Sequence, residues 1–217
     1  MTIVLDSVKE AIEDIKNGKI VIVVDDENRE NEGDMICASE CVTPEIVNFM
    51  LSEARGLLCV ALTKERCAAL NLNLMVENNT ALHKTAFTVS VDLIGYGCTT
   101  GVSTGDRAKT INALADPKME AKNFAVPGHI FPLIANTNGL TERHGHTEAA
   151  IDLPRMAGLK PSGVLIEVLS PDGSMARLPE LREIANKFNL KLISIKDILE
   201  YVSDNDPNLE IPAKVKI

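Results

Sequence analysis

Residues 20–34 read IVIVVDDENRENEGD, a short apolar run followed at once by a dense acidic group. The run at 20–24 is uninterrupted and mostly β-branched, which predicts a strand buried on both faces of a sheet. Six carboxylates and one arginine follow it between 25 and 34. Carboxylates held close together raise each other's pKa unless a cation or a hydroxyl network absorbs the charge. The acidic stretch is therefore either a solvated loop or the ligand set of a hard cation such as Mg²⁺.

Strand and helix patterns alternate along the rest of the chain. We predict strands at 57–62, 87–92, 130–135, 164–169 and 192–195, and helices at about 104–115, 147–157, 179–188 and 196–202. Ser7 followed by Glu10 predicts a capping box before a first helix, and Thr43-Pro44 predicts another helix start. The interleaving favours an α+β fold, a mixed sheet with surrounding helices. We expect one domain at 1–203 and a C-terminal tail or truncated linker at 204–217.

Composition and charge restrict the location and the partners that we expect. The 217 residues are 45% hydrophobic, which is enough for one core. No apolar run approaches the ~20 residues of a membrane span and the N-terminus is acidic, so we expect a cytoplasmic protein with no membrane segment. The net charge of −9 repels phosphate backbones, so we expect no nucleic-acid partner. Five cysteines without a C-x-x-C pair predict reduced thiols.

Residues 143–148 read RHGHTE directly before an amphipathic helical pattern. The free N–H groups at a helix N-terminus suit a phosphate, and Arg143 and Thr147 would lie beside them. His146 is a candidate metal ligand, although a single histidine is more often a packed or a surface residue. Here His144 and His146 flank Gly145 between an arginine and a capping residue, which is a less ordinary grouping.

A turn rich in hydroxyls and glycine, TTGVSTGDR at 99–107, precedes another predicted helix. Its backbone amides and hydroxyls could bind phosphate oxygens, and Ser103, Thr104 and Asp106 are the candidates. The turn is not a P-loop, because no lysine follows the glycine. Simple helix capping is the equally weighted alternative.

Three single residues complete the candidates. His129 follows a Pro-Gly turn before a predicted strand, so it either projects into a cleft or is structural. Glu167 interrupts an apolar run, where a buried carboxylate would be costly without a partner, or else it faces solvent. Cys59 is most simply a small buried hydrophobic residue.

With these motifs assembled, the sequence resembles the dihydroxybutanone phosphate synthase family over about 7–201. The matching motifs, in order, are DDENRENEGDMI, RGLLCVAL, MVENNT, FTVSVD, TTGVSTGDRAKTI, PGHIFPL, RHGHTEAAIDL and GVLIEVLSPDGSMAR. The resemblance implies a homodimeric α+β lyase of riboflavin biosynthesis that converts D-ribulose 5-phosphate into L-3,4-dihydroxy-2-butanone 4-phosphate and formate. It also implies two Mg²⁺ ions per site near the dimer interface, with Mn²⁺ as a substitute.

The resemblance further implies roles for individual residues. The implied metal ligands are Glu30 and His146. The implied substrate-binding residues are Arg29, Glu30, Asp34, Ser103, Thr104, Asp106, Arg143, His144, Gly145, His146, Thr147 and Glu167. The implied catalytic residues are Glu32, Asp34, Cys59, His129 and Glu167.

Two other functions remain open from the residues alone. The same scaffold could carry a different metal-dependent sugar-phosphate aldolase or isomerase, because fold does not fix function. The acidic stretch could also belong to a cation-binding module without catalysis. Only the favoured reaction releases formate, so product analysis separates the three.

Overall fold

The computed structural model describes residues 3–205, which form seven strands and seven α-helices. The strands are β1 Val21–Val24, β2 Gly33–Ala38, β3 Cys59–Leu62, β4 Val91–Leu93, β5 Phe124–Ile134, β6 Ser162–Glu167 and β7 Lys191–Ser194. The helices are α1 Val8–Lys16, α2 Pro44–Glu53, α3 Lys64–Ala69, α4 Thr104–Ala115, α5 His146–Met156, α6 Leu178–Phe188 and α7 Ile195–Asn205. Short 3₁₀ turns lie at Ser39–Cys41, Ala121–Asn123 and Gly139–Thr141.

All seven strands join one mixed sheet in the order β4-β5-β3-β6-β2-β1-β7. β1 pairs in parallel with β7, and β3 with β5, while the other neighbours are antiparallel. The α+β fold with a mixed sheet and surrounding helices is thus confirmed.

Strand β1, which lies between β2 and the edge strand β7, is buried on both faces, as its apolar sequence predicts. All four of its residues are buried, and their side chains alternate between two core layers. Ile22 and Val24 pack in the layer covered by α2, α4 and α6, whereas Val21 and Val23 pack in the layer covered by α1, α5 and α7. Neighbouring strands follow the same alternation, which decides the face on which each polar side chain at a strand end lies.

Helix α5 packs unusually close to the sheet. A Cβ placed on Gly163 of β6 would lie 2.3 Å from the backbone oxygen of Ala150 in α5. The glycine therefore lets the helix backbone rest directly on the strand. This contact holds the N-terminus of α5 over the ends of β2, β6 and β3.

Several elements differ from the predictions. The acidic stretch is not a single loop, because residues 25–32 connect antiparallel β1 and β2 and Asp34 already belongs to β2, a strand that the sequence did not predict. Helix α3, capped by the side chain of Thr63, was also not predicted. Ser7 precedes α1, but its side chain makes no capping hydrogen bond, so the predicted capping box is wrong.

Two predicted boundaries also shift. In the predicted strand at 87–92, Phe87 and Thr88 form only isolated bridges, to Leu133 and Leu74, and β4 begins at Val91. Helix α7 continues to Asn205, past the predicted domain end at 203, and the rest of the predicted tail, 206–217, lies outside the described residues. Between residues 3 and 205 no helix has the length and apolar character needed to cross a membrane. All five cysteines are free thiols.

Candidate active site

A small polar cavity lies where the N-terminus of α5 meets the sheet. It encloses about 100 Å³, well below the roughly 300–1,000 Å³ of pockets for drug-sized ligands, so it suits a small polar molecule. The residues that line it are Arg29, Glu30, Glu32, Asp34, Leu57, Cys59, Thr85, Phe87, Leu133, Arg143, His146, Thr147, Leu165 and Glu167. Most of the residues singled out in the acidic and RHGHTE motifs thus come together.

The sheet contributes two carboxylates to this cavity from neighbouring strands. Asp34 of β2 pairs in register with Glu167 of β6, and both belong to the face that α5 covers. Glu167 accepts a hydrogen bond from the backbone N–H of Leu57 at 2.8 Å. Asp34 is buried, and its Oδ1 has no hydrogen-bond partner among the described residues. A buried carboxylate oxygen without a partner is costly, which indicates that this atom faces a ligand position.

The loop between β1 and β2 is organised by Asp25, whose side chain is 0% exposed. Its Oδ1 accepts from the backbone N–H of Glu32 at 2.9 Å, and its Oδ2 accepts from the N–H of Glu30 at 3.0 Å. The guanidinium of Arg29 also donates to Asp25 at 2.8 Å and is paired with the Glu30 carboxylate. These bonds turn the side chains of Arg29 and Glu30 toward the cavity instead of into solvent.

His146, the first residue of α5, is oriented by the sheet beneath it. Its Nε2 lies 3.2 Å from the carbonyl oxygen of Val23, the distance of an N–H donated to that oxygen. Its Nδ1 then faces the carboxylates of Glu30 and Asp34, at 3.6 and 3.7 Å. A histidine that ligates a metal is typically held in this way, through its second nitrogen.

Burial and charge move the pKa values of this cluster in different directions. Burial, together with the negative charges of Glu167 and Glu30, raises the pKa of Asp34 to about 7 although His146 opposes the shift. Burial also acts to raise the pKa of Glu30, but hydrogen bonding to His146 and the charge of Arg29 outweigh it and lower the value to about 2. Burial acts to lower the pKa of His146, yet the carboxylates of Asp34 and Glu30 raise it to about 9.

The cluster has the donor set that a divalent cation requires. Ligand atoms of Asp25, Glu30 and His146 lie within 4.8 Å of one another. The unpartnered Oδ1 of Asp34 adds a further buried oxygen beside them. Mg²⁺ prefers such hard oxygen ligands and takes few of them from the protein, keeping waters or substrate oxygens for the rest. These residues therefore fit a bound Mg²⁺.

Arg143, just before the N-terminus of α5, contributes a positive charge to the cavity wall. Arg143 donates through Nη1 to the buried carboxylate of Glu148 at 2.6 Å, and its Nη2 lies 3.3 Å from Oγ1 of Thr85. Thr147 lies in the first turn of α5, where backbone N–H groups have no partner within the helix. An arginine beside a helix N-terminus is a suitable binding site for a phosphate group.

Cys59 lines the same cavity from β3. Burial raises the pKa of its thiol far above the ordinary value, and the charges of Glu167 and Asp34 raise it further. The residue is therefore an uncharged thiol at neutral pH, which is a weak nucleophile.

His129 lies outside this cavity in the single chain. It belongs to β5, its side chain is 48% exposed, and its Nδ1 is 2.6 Å from Oδ2 of Asp92. The backbone N–H of His129 also donates to Asp92 at 2.9 Å. Two hydrogen bonds thus hold the His129–Asp92 pair at the β4–β5 edge of the sheet. A catalytic role for His129 stays a prediction.

The turn at 99–107 does not reach the cavity either. Asp106 accepts hydrogen bonds from the N–H groups of Thr99 and Gly101, and Ser103 caps α4 by accepting from the N–H of Asp106. Within one chain, these bonds are those of a capped turn. Thr104 begins α4, and the exposed His144 and the buried Gly145 precede α5 without lining the cavity.

Sequence reasoning missed four residues of the site. Asp25 carries a usable signal, because it follows the buried strand directly, but its role in holding the loop depends on backbone contacts. Thr85 and Phe87 come from a segment distant in sequence; Phe87 begins the FTVSVD motif, but nothing in that motif indicates that its side chain lines the site. Glu148 stands inside the RHGHTE motif, yet its pairing becomes evident only from the geometry.

The fold and the cavity define an α+β protein that gathers carboxylates, a histidine and an arginine at one end of a mixed sheet. The sequence model of the 3,4-dihydroxy-2-butanone 4-phosphate synthase family matches residues 9–201, so the chain belongs to that family.

Two comparisons show how far the likeness extends. The chain is 64% identical over 197 residues to the riboflavin biosynthesis protein RibBA of Cytophaga hutchinsonii, covering 91% of the chain and 49% of that protein. It is 53% identical over 216 residues to RibBA of Parabacteroides distasonis, covering 97% and 53%. The chain thus spans about half the length of the curated relatives that it matches.

A solved structure matches over its full length. This crystal structure of 3,4-dihydroxy-2-butanone 4-phosphate synthase in complex with two magnesium ions is 39% identical, with a TM-score of 0.90, and the match covers 94% of the present chain and 100% of that one. RibBX of A. baumannii, a two-domain synthase, is 44% identical with a TM-score of 0.89, covering 93% and 59%.

Proposed function

We propose that this chain is a lyase that converts D-ribulose 5-phosphate into L-3,4-dihydroxy-2-butanone 4-phosphate and formate in riboflavin biosynthesis. The observation that carries the proposal is one small cavity lined both by Glu30 and His146 of a cation-binding cluster and by Arg143, which precedes a helix N-terminus. A phosphorylated sugar has oxygen ligands for a cation at one end and a phosphate at the other. Membership of the synthase family and the names of its relatives support this substrate.

Glu30 and His146 would hold Mg²⁺, two ions per site, with Mn²⁺ as a substitute. A solved relative in complex with two magnesium ions supports this. When bound, the metal supplies a Lewis acid for the carbonyl and hydroxyl oxygens of a ketose. Asp25 fixes the loop that carries Glu30, so it determines where the ligand oxygen lies. The contact between Nε2 of His146 and the carbonyl oxygen of Val23 likewise orients the ligand nitrogen Nδ1.

The remaining carboxyls would carry protons during enediol formation and the later rearrangement. Asp34 and Glu167 are adjacent on the sheet, and Glu32 lies at the same cavity wall. A general acid or base must lie within hydrogen-bond reach of the proton that it moves, and these three side chains surround one small space. Cys59, as a neutral thiol, would shape the cavity and exclude water.

At the other end, Arg143 and Thr147 would bind the phosphate, and Arg29 would contact the hydroxyl groups of the sugar. A charge-assisted bond from arginine orients a phosphate more strictly than a lysine does. Binding at both ends would hold the ketose carbonyl beside the carboxyls.

We further propose a cytoplasmic homodimer in which part of each site comes from a second copy. His129 and the turn with Ser103, Thr104 and Asp106 lie outside the cavity of their own chain. A symmetric dimer brings one surface of each chain to the other, so these residues could serve the neighbouring cavity. His129 with its partner Asp92 is the group that we expect to act there.

Quantifying formate tests the proposal. Metal ions are removed from the purified protein with a chelator. The protein is then given ribulose 5-phosphate and assayed for formate with and without added Mg²⁺. We expect formate only when Mg²⁺ is present. A sugar-phosphate product without formate would favour an aldolase or isomerase, and calorimetric Mg²⁺ binding without any turnover would favour a cation-binding module.

A further inference from the structure

A buried carboxylate on α5 pairs with an arginine that lines the cavity. Glu148 is 1% exposed at its side chain, and Arg143 is 21% exposed. One oxygen of Glu148 accepts from the backbone N–H of Asn136 at 3.1 Å, and the other accepts from Nη1 of Arg143 at 2.6 Å. Glu148 thus connects α5, the segment that follows β5 and the guanidinium, and it does not line the cavity itself.

The pair passes over the residue that precedes α5. A Cβ on Gly145 would lie 2.3 Å from Nη1 of Arg143 and 2.9 Å from Oε2 of Glu148. A Cβ at this position would displace the ends of both side chains, so the contact in its present geometry requires glycine. The order Arg143, Gly145, Glu148 in the RHGHTE motif therefore has a geometric reason.

The other contacts of the guanidinium are weaker. Nη2 of Arg143 lies 3.3 Å from Oγ1 of Thr85 and 3.4 Å from the backbone oxygen of His83. A long arginine side chain loses much rotamer entropy when it is fixed, so a single strong contact decides its direction. Glu148 supplies that contact from a rigid helix.

We propose that Glu148 is a positioning residue that directs the guanidinium of Arg143 toward the phosphate group of the substrate. This inference rests on the proposed function, because it assigns Arg143 to the phosphate. Glu148 acts through Arg143 and contacts no reacting atom. The negative charge of Glu148 also repels the phosphate. Removing the carboxylate therefore has two opposing effects on substrate binding: the loss of orientation weakens it, and the loss of repulsion strengthens it. The proposal requires that orientation dominates.

The chain offers a matched control one helical turn further along α5. The carboxylate of Asp152 accepts from the backbone N–H of Leu140 at 2.8 Å and from Nη1 of Arg155 at 2.8 Å. This arrangement repeats that of Glu148, but neither Asp152 nor Arg155 lines the cavity. A purely structural role would make both carboxylates equivalent.

The test compares Glu148→Gln with Asp152→Asn, since both amides keep an acceptor for the backbone N–H and remove the charge. Calorimetry on the metal-free proteins measures the binding of ribulose 5-phosphate and of unphosphorylated ribulose. Urea denaturation checks that each variant folds. We expect Glu148→Gln to weaken binding of the phosphate ester about tenfold and to leave ribulose binding unchanged. Asp152→Asn should bind both sugars as the original protein does.

Two further variants show whether Glu148 acts through Arg143. In an Arg143→Ala background, Glu148→Gln should cause no additional loss of phosphate-ester binding. Gly145→Ala leaves both charges in place but displaces Nη1, so it should reproduce the loss even if Glu148→Gln does not fold. Additive losses, tighter binding by Glu148→Gln, or an equal loss in Asp152→Asn would each overturn the proposal. Binding is read without turnover, so absence of formate would refute the proposed reaction separately.

Discussion

Two carboxylates of the β1–β2 loop have different tasks although they stand only five residues apart. The carboxylate oxygens of Asp25 accept hydrogen bonds from backbone N–H groups of the loop and from Arg29. Glu30 directs its carboxylate toward His146. The loop is therefore held by one acidic residue so that another can face the cavity.

Replacing Glu30 by Gln should abolish formate release and weaken Mg²⁺ binding by more than about tenfold, because the anionic ligand is lost while the shape is retained. Calorimetric titration with Mg²⁺ and the formate assay measure the two effects. Glu27→Gln is the control, since Glu27 is exposed in the same loop. Full activity of Glu30→Gln would remove this residue from the metal site.

Replacing Arg143 by Ala should mainly raise KM for ribulose 5-phosphate. A charge-assisted hydrogen bond is worth about 1.5–3 kcal/mol, which corresponds to a rise of roughly ten- to a hundredfold. Steady-state kinetics of formate release give KM and kcat separately. An unchanged KM would count against the phosphate role.

At the residue scale, the sequence is informative where chemistry is concentrated in one segment. The acidic motif and RHGHTE both come to the cavity because each adjoins a buried element that positions it. Glu167 could not be placed from its own strand, since an outward-facing and a site carboxylate have the same pattern. Its position beside Asp34 follows from the β2–β6 register, which depends on contacts far apart in the chain.

Among the elements, α5 has the greatest influence on the site because His146, Thr147 and Glu148 form its first turn. Its position depends on the close approach at Gly163. Gly163→Ala should lower the free energy of unfolding by about 1–3 kcal/mol, because a methyl group there overpacks the helix–strand contact.

Urea denaturation checks this value, and Gly105→Ala is the matched control. A Cβ on Gly105 meets only Ser103 Oγ, at 3.9 Å. Alanine also favours a helix more than glycine does, so this change should be neutral or slightly stabilising. Equal destabilisation by both changes would contradict the close-packing explanation.

The C-terminus of α4 is held by one side chain from α3. The guanidinium of Arg66 donates to the backbone oxygens of Ala113, Leu114, Asp116 and Met119. Since the last carbonyls of a helix have no partner within it, Arg66→Ala should cost about 1–3 kcal/mol of unfolding free energy. Thermal and urea unfolding should show little change for Lys64→Ala, an exposed residue of the same helix.

The elements differed in how well the sequence predicts them. Long amphipathic helices such as α6 and continuous apolar strands such as β1 have a clear period. β2 was missed because its first residues, Gly33 and Asp34, belong to the acidic motif and hide the start of the strand. α3 has only six residues, too few to show a helical period.

For the whole molecule, the shared site of the proposed homodimer makes a specific prediction. His129→Ala and Glu30→Gln should each be inactive alone, but mixed dimers would contain one cavity with both original residues. Random exchange of subunits should then restore up to about a quarter of the original formate activity, as two-fold symmetry requires. Mixtures that stay inactive while sedimentation shows mixed dimers would place His129 elsewhere.

The alternation of side chains along the sheet has a consequence for how this protein can evolve. Asp34, Glu167 and Cys59 lie on the sheet face under α5, which itself carries His146, whereas Ile22, Met35 and Cys37 fill the opposite layer. The sheet acts as a partition, so repacking on the far side is not transmitted directly to the reacting groups. Substitutions in the opposite core layer, whether they arise by natural drift or by laboratory selection for thermal tolerance, should therefore change stability with little effect on the active site.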